Sequence, residues 1–181
     1  GLTRNPSSLK EKMPQELDVV GGGLQDIANW ASQLPTDLDV VIHCAGEVHS
    51  YDDQKFYEVN TQGTIDLIQH LRSQTKDLHF VLISSLAAAG PSDESGHTLP
   101  HLNRPISHYG KSKLEAENSL EQCPTNWKKT IIRPPVVIGP GDRGMFDLFL
   151  QTQKGFALYP NPVDKKHFRY SFICVHAVSY T

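Results

Sequence analysis

Tyr109 and Lys113 stand four residues apart in Ser107-His108-Tyr109-Gly110-Lys111-Ser112-Lys113, a spacing that can support acid–base chemistry. On a helix, residues at this spacing lie one turn apart on one face. An ammonium beside a phenol favours the phenolate and draws its pKa down from about 10. A phenol tuned in this way can give or take a proton at a carbonyl or alcohol oxygen. Ser84 and Ser85 close an apolar run upstream, and a Ser85 hydroxyl presented at a strand end can hold the same oxygen. Six tyrosines make the Tyr-x-x-x-Lys spacing alone a weak signal. The order strand, Ser-Ser, loop, Tyr-x-x-x-Lys is far more specific.

The elements that must position these groups follow from the apolar pattern. Residues 39–45 (DVVIHCA) and 79–84 (HFVLIS) read as buried strands, and 130–133 as a third, broken by Pro134-Pro135. Gly1 to Pro6 reads as a strand end running into a turn. Val19-Val20 is a short apolar run broken by Gly21-Gly22-Gly23. Leu24, Ile27, Ala28, Ala31 and Leu34 share a helical face that Pro35 ends. A long helix is expected over 51–73, with Phe56, Val59, Gly63, Leu67, Ile68 and Leu71 on its apolar side. Another runs from Pro105 to about Gln122 and carries Tyr109 and Lys113. The Gly-, Pro-, Ser- and Asp-rich stretch 87–104 is a loop, 139–142 a turn, 145–152 a short helix and 170–175 a last strand. Continuous apolar strands alternating with helices imply a parallel sheet covered on both faces. Ligands bind such sheets beyond the carboxyl ends of the strands. Arg4, Gly22-Gly23, Ala45-Gly46, Ser84-Ser85 and Pro134-Pro135 each follow a strand.

The totals narrow the function classes. The 181 residues are 38% apolar and 20% charged with a formal charge of −3, which suits a globular domain and gives no basic run for nucleic acid. No apolar stretch approaches the roughly 20 residues of a membrane span, and no secretory signal opens the chain. Cys44, Cys123 and Cys174 are far apart, without CxxC spacing, and read as free thiols of a reducing, cytoplasmic compartment. His97, His101 and His108 lack metal-ligand spacing, so no metal site is expected. His43 reads as a core or strand-end residue, and Trp30 and Trp127 as packing groups.

Six segments together resemble the extended short-chain dehydrogenases/reductases, the group that contains NAD-dependent epimerases and dehydratases. They are VVIHCAGEV (40–48), NTQGTIDLI (60–68), FVLISSLAAAGPS (80–92), PISHYGKSKLEAE (105–117), IIRPPVVIGPGDR (131–143) and FRYSFICV (168–175). The resemblance implies a Rossmann-type α/β fold, a doubly wound parallel sheet in three layers. Residues 1–140 would be the NAD(P)-binding domain, incomplete at its N-terminus, and 141–181 the start of a substrate-binding region with a return strand. It implies Tyr109 as general acid/base, Lys113 on the nicotinamide ribose and Ser85 on the substrate oxygen. Around the cofactor it implies Ala45 and Gly46 for close backbone approach, Cys44 and Ser84 beside them, and Asn60 tying a helix to the cofactor strand. Pro134 would border the nicotinamide. Arg4 takes the place where a basic residue accepts a 2′-phosphate, which favours NADP over NAD.

Three departures from the family pattern bear on function. The Gly-rich phosphate fingerprint is not found, and Gly21-Gly22-Gly23 lacks its spacing, so the chain is expected to be a fragment that is itself poorly equipped for cofactor binding. Gly22-Gly23-Leu24 replaces the usual Gly-Asp-Leu. Val136 stands where sugar-nucleotide epimerases tend to carry Asn, which favours a less polar carbonyl substrate. The expectation is therefore an NAD(P)-dependent oxidoreductase acting on a small molecule, a homodimer by analogy with relatives. The alternatives are a nucleotide-sugar epimerase/dehydratase and a non-catalytic dinucleotide-binding protein.

Overall fold

A computed structural model describes residues 1–7, 18–74, 77–92, 96, 102–140, 142, 144–155 and 170–179. His97, His101, Gly141 and Arg143, considered above, lie outside these residues. The chain falls into two compact units, Gly1–Arg133 and Pro134–Thr181.

The first unit begins with two short parallel strands, β1 (Leu2–Thr3) and β2 (Val20–Gly21). A separate parallel sheet follows in the order β3 (Val40–His43), β4 (His79–Ile83), β5 (Lys128–Ile132), with Val41 opposite Phe80 and Leu82 opposite Ile131. Side chains alternate across a strand. Val41, His43, Phe80 and Leu82 therefore share one face, and Phe80 and Leu82 are fully buried there. Against that face pack the helix α1 (Ile27–Trp30), α3 (Gly63–Gln74) and α4 (His108–Ser119). The core they form includes Trp30, Ile68, Leu71, Ala116, Leu120 and Trp127, with Trp127 stacked on Phe80 at a centroid distance of 6.3 Å. The opposite face is not covered as the continuous apolar strands had implied: Val40 and Ile42 are 49% and 64% exposed and Ile132 is exposed too.

Residues 24–34 differ from the single helix expected. They form a 3-10 turn (Leu24–Asp26), one turn of α-helix α1, and a second 3-10 turn (Ala31–Gln33). The tryptophan explains it. Trp30 Nε1–H donates to the Gly23 carbonyl at 2.8 Å, which draws the indole inward. Trp30 is thus in the core while Ala28 faces solvent. The long helix is present as α2 (Asp53–Phe56), a π-helical stretch Tyr57–Gln62, and α3. Asp52 caps it by accepting from the Gln54 N–H at 3.0 Å.

The second unit pairs β6 (Val136–Ile138) in parallel with β7 (Phe172–Cys174) and adds α5 (Gly144–Gln153) and α6 (Val175–Ser179). The three residues of β6, directly after Pro134-Pro135, were not expected as a strand. Among the described residues no helix is long and apolar enough to cross a membrane, and the described thiols are free: Cys44 and Cys174 exposed, Cys123 buried.

Candidate active site

The helix α4 starts at Ser107, whose hydroxyl accepts from the Gly110 N–H at 3.0 Å. Its first helical residue, His108, is three residues later than the expected start at Pro105, because the cap and not the proline sets the first turn. From there Tyr109, Lys113 and Glu117 recur every fourth residue and form one stripe. The stripe faces the carboxyl end of β4. Gly110 permits the approach, since a Cβ on it would stand 2.4 Å from the Ala87 carbonyl oxygen.

Ser84 and Ser85 follow β4 directly. Ser85 has extended backbone and caps the 3-10 turn Leu86–Ala88, its hydroxyl accepting from the Ala87 N–H at 3.1 Å. The same hydroxyl lies near enough to the Tyr109 phenol to draw its pKa down. Lys113 is buried, and its Nζ donates to the Ile83 carbonyl at 2.8 Å. Residues 85, 109 and 113 thus meet at one strand end. The electrostatics differ from the expectation in one respect. Burial pushes the Tyr109 phenol above its ordinary value, and the Ser85 hydroxyl draws it back in part. The Lys113 ammonium is engaged by a backbone carbonyl instead. Burial lowers the Lys113 pKa, while Glu117 and Cys44 push it back up.

Asn60 is 1% exposed and sits in the π-helical stretch, a geometry frequent at functional sites. It accepts from the Glu47 N–H at 2.7 Å and donates to the Glu47 carbonyl and to Ser112 Oγ, both at 3.0 Å. Ser112 in turn donates to the Tyr109 carbonyl at 2.8 Å. Asn60 therefore fastens the loop after β3 to α4. Gly46 leaves room for it, because a Cβ there would lie 2.9 Å from Asn60 Oδ1 and 3.7 Å from Lys113 Nζ.

Cys44, Ala45 and Gly46 line a cavity of about 330 Å3 together with Arg4, Gly22, Gly23 and Lys55. The cavity opens beyond the carboxyl ends of β1, β2 and β3, where ligands of such sheets bind. Its small residues, Gly22, Gly23, Ala45 and Gly46, leave room for part of a dinucleotide, and of its two cations Arg4 and Lys55 the second is paired with Glu47 at 3.7 Å. Gly23 N–H is taken by Asp26 Oδ1 at 2.8 Å. Burial pushes the Cys44 thiol up, against the pull of Lys113. Pro134 belongs to the second unit.

Sequence reasoning missed Glu117, Arg133 and Lys55. Glu117 was legible as the third member of the Tyr109-Lys113 spacing, but a glutamate on a helix reads by default as a solvated side chain. Among the described residues no group of His, Cys, Asp or Glu is placed to hold a metal ion.

Residues 1–155 match the model of the NAD dependent epimerase/dehydratase family. A UDP-glucose 4-epimerase of Vibrio cholerae is 35% identical over 139 residues, 70% of this chain and 42% of that protein. A ceramide reductase of Caulobacter vibrioides is 30% identical over 134 residues, 74% of this chain and 37% of that protein. The chain thus spans about two fifths of these relatives. Among solved structures, WbmG of Bordetella bronchiseptica in complex with NAD and UDP superposes with a TM-score of 0.65 at 19% identity, over 90% of this chain and 52% of that one. RMD of Pseudomonas aeruginosa complexed with NADPH gives 0.59 at 23%, over 82% and 57%. At these identities the superpositions establish the Rossmann-type α/β fold.

Proposed function

The chain belongs to the NAD dependent epimerase/dehydratase family, and from that premise we propose that it carries the acid–base centre of an NAD(P)-dependent oxidoreductase acting on a carbonyl or alcohol. The observation that supports this most is the Lys113 ammonium held on the Ile83 carbonyl at the end of β4, two residues before Ser85, whose hydroxyl acts on the Tyr109 phenol.

A bound nicotinamide would supply hydride exchange at the substrate carbon. The chain's own groups would do the rest. Tyr109, whose raised pKa keeps it a phenol at neutral pH, gives its proton to the carbonyl oxygen during reduction. Ser85 donates to the same oxygen and steadies the charge that grows there. In the oxidative direction Tyr109 must first lose its proton, so that direction gains from higher pH. Lys113 orients the ribose and contributes positive charge. Ala45 and Gly46 let the cofactor approach the backbone, with Cys44 and Ser84 at its edge. Arg4, on the cavity wall, supports NADP over NAD through its match to a phosphate dianion.

Tyr109→Phe tests the proposal. With NADPH and a panel of ketones and aldehydes, turnover falls about 100-fold or more, while NADPH affinity stays within a factor of about three, a change of under 1 kcal/mol. Undiminished turnover would refute the role of the phenol.

A second reading is a nucleotide-sugar 4-epimerase, which the likeness to the Vibrio cholerae protein supports. It predicts interconversion of UDP-hexose C4 epimers with no net consumption of NADH or NADPH. Stoichiometric NADPH loss would rule it out.

A further inference from the structure

Glu117 is buried on α4, one turn beyond Lys113, with only 4% of its side chain exposed. Its carboxylate is bound from three sides. Arg133 Nε donates to Oε1 at 2.8 Å, Arg133 Nη2 donates to Oε2, and the Ser84 hydroxyl donates to Oε1. Arg133 Nη1 continues to Asn103 Oδ1 at 2.9 Å, in the segment that leads to the Ser107 cap. Ser84 N–H is itself held by the Ile132 carbonyl at 2.8 Å. One carboxylate thus joins the ends of β4 and β5, the helix α4 and the preceding loop.

We propose that Glu117 is a positioning residue: pinned by Arg133 and Ser84, it fixes α4 against the carboxyl end of β4 and holds the Lys113 ammonium on the Ile83 carbonyl beside Ser85 and Tyr109. A buried ion pair made only for stability is often replaceable by apolar side chains without loss. This one sits where two catalytic candidates arrive from different elements: Ser85 follows Ser84, which donates to the Glu117 carboxylate, and Lys113 precedes Glu117 by a turn. The charged and titratable groups facing Lys113 are His43 and Cys44 at the end of β3 and Glu117 on its own helix. The inference rests on the acid–base reading for its purpose, because the ammonium it holds is the one proposed to act.

The test needs neither substrate nor cofactor. Lysine 13Cε shifts report the titration of Lys113 in the whole chain. In Glu117→Gln, which keeps the shape but removes the charge, the Lys113 midpoint falls by about one unit, a tenfold change in its protonation equilibrium. In Arg133→Gln, which leaves the carboxylate without its guanidinium, the midpoint rises. Leu71→Ala, a core change of comparable destabilisation, leaves it in place. Opposite shifts from the two variants and none from the third support the proposal. Shifts of the same sign, no shift in either, or an equal shift in Leu71→Ala would overturn it. If Glu117→Gln does not fold, Ser84→Ala reads the same contact: looser anchoring moves the Lys113 midpoint, and an unmoved midpoint overturns the proposal. Activity lost in Tyr109→Phe together with an unmoved Lys113 would refute the positioning role alone, and the converse would refute the catalytic reading alone.

Discussion

Burial of His43 makes the stability of the chain depend on pH in a way that can be worked out. The ring is 4% exposed on β3, packed 6.0 Å from the centroid of Phe80. Its Nε2 lies 2.9 Å from Thr64 Oγ1, and that hydroxyl donates to the Asn60 carbonyl at 2.6 Å. Having spent its one proton there, Thr64 can only accept from the ring, which fixes the neutral Nε2–H tautomer. Burial, and after it the Lys113 ammonium, lowers the His43 pKa from 6.5 to about 4. In the unfolded chain the imidazole protonates near 6.5. Between these values the unfolded state carries the extra proton, so stability rises with pH. The contribution is complete above 6.5 and is lost as pH falls towards 4. A separation of 6.5 − 4, at about 1.36 kcal/mol per unit, amounts to about 3 kcal/mol. Urea unfolding followed through the buried Trp30 and Trp127 measures it, in the wild type and in His43→Gln. Carboxylates titrate in both proteins and cancel in the difference. That difference should shrink by about 3 kcal/mol between pH 7 and pH 4. A difference that stays constant across the range would refute the account of a neutral buried imidazole.

Other consequences can be measured alongside. Phe80→Ala removes a fully buried ring between His43 and Trp127 and should cost about 3–5 kcal/mol in urea unfolding; a cost under about 1 kcal/mol would contradict the described core. Gly46→Ala forces a methyl against Asn60 Oδ1 and should weaken NADPH binding on the order of tenfold by displacing the Glu47 loop, about the worth of one hydrogen bond; an unchanged Kd would show that the loop does not face the cofactor. Arg4→Ala should raise the Kd of NADPH on the order of tenfold and leave that of NADH nearly unchanged, as expected for one charge-assisted contact; equal effects on both would remove the argument for NADP.

Much of the fold was legible because its strands are short apolar runs ended by Gly, Ser or Pro. The segments 79–84 and 39–45 were found for that reason, and the observed β4 and β3 lie inside them. The helix over 24–34 was misjudged because periodicity weighs alanine and tryptophan alike, whereas the Trp30 hydrogen bond to Gly23 decides which side turns inward. The open face at Val40 and Ile42 was not legible either: an apolar strand residue reads as buried whether or not another element covers it. At the site, the convergence of Ser85, Tyr109 and Lys113 followed from spacing and strand ends. The direction of the Tyr109 shift did not, because it depends on burial and on where the Lys113 ammonium points. Glu117 and Arg133 are sixteen positions apart in sequence, and only the packing of α4 beside β5 makes them partners.

The most direct measurement of the central geometry is the titration of the Tyr109 phenol, followed through its 13Cζ shift in the wild type and in Ser85→Ala. The wild-type midpoint should lie above the ordinary phenol value, and loss of the Ser85 hydroxyl should raise it further. Two superimposable curves would mean that the hydroxyl and the phenol do not meet, and the proposed acid–base centre would have to be abandoned.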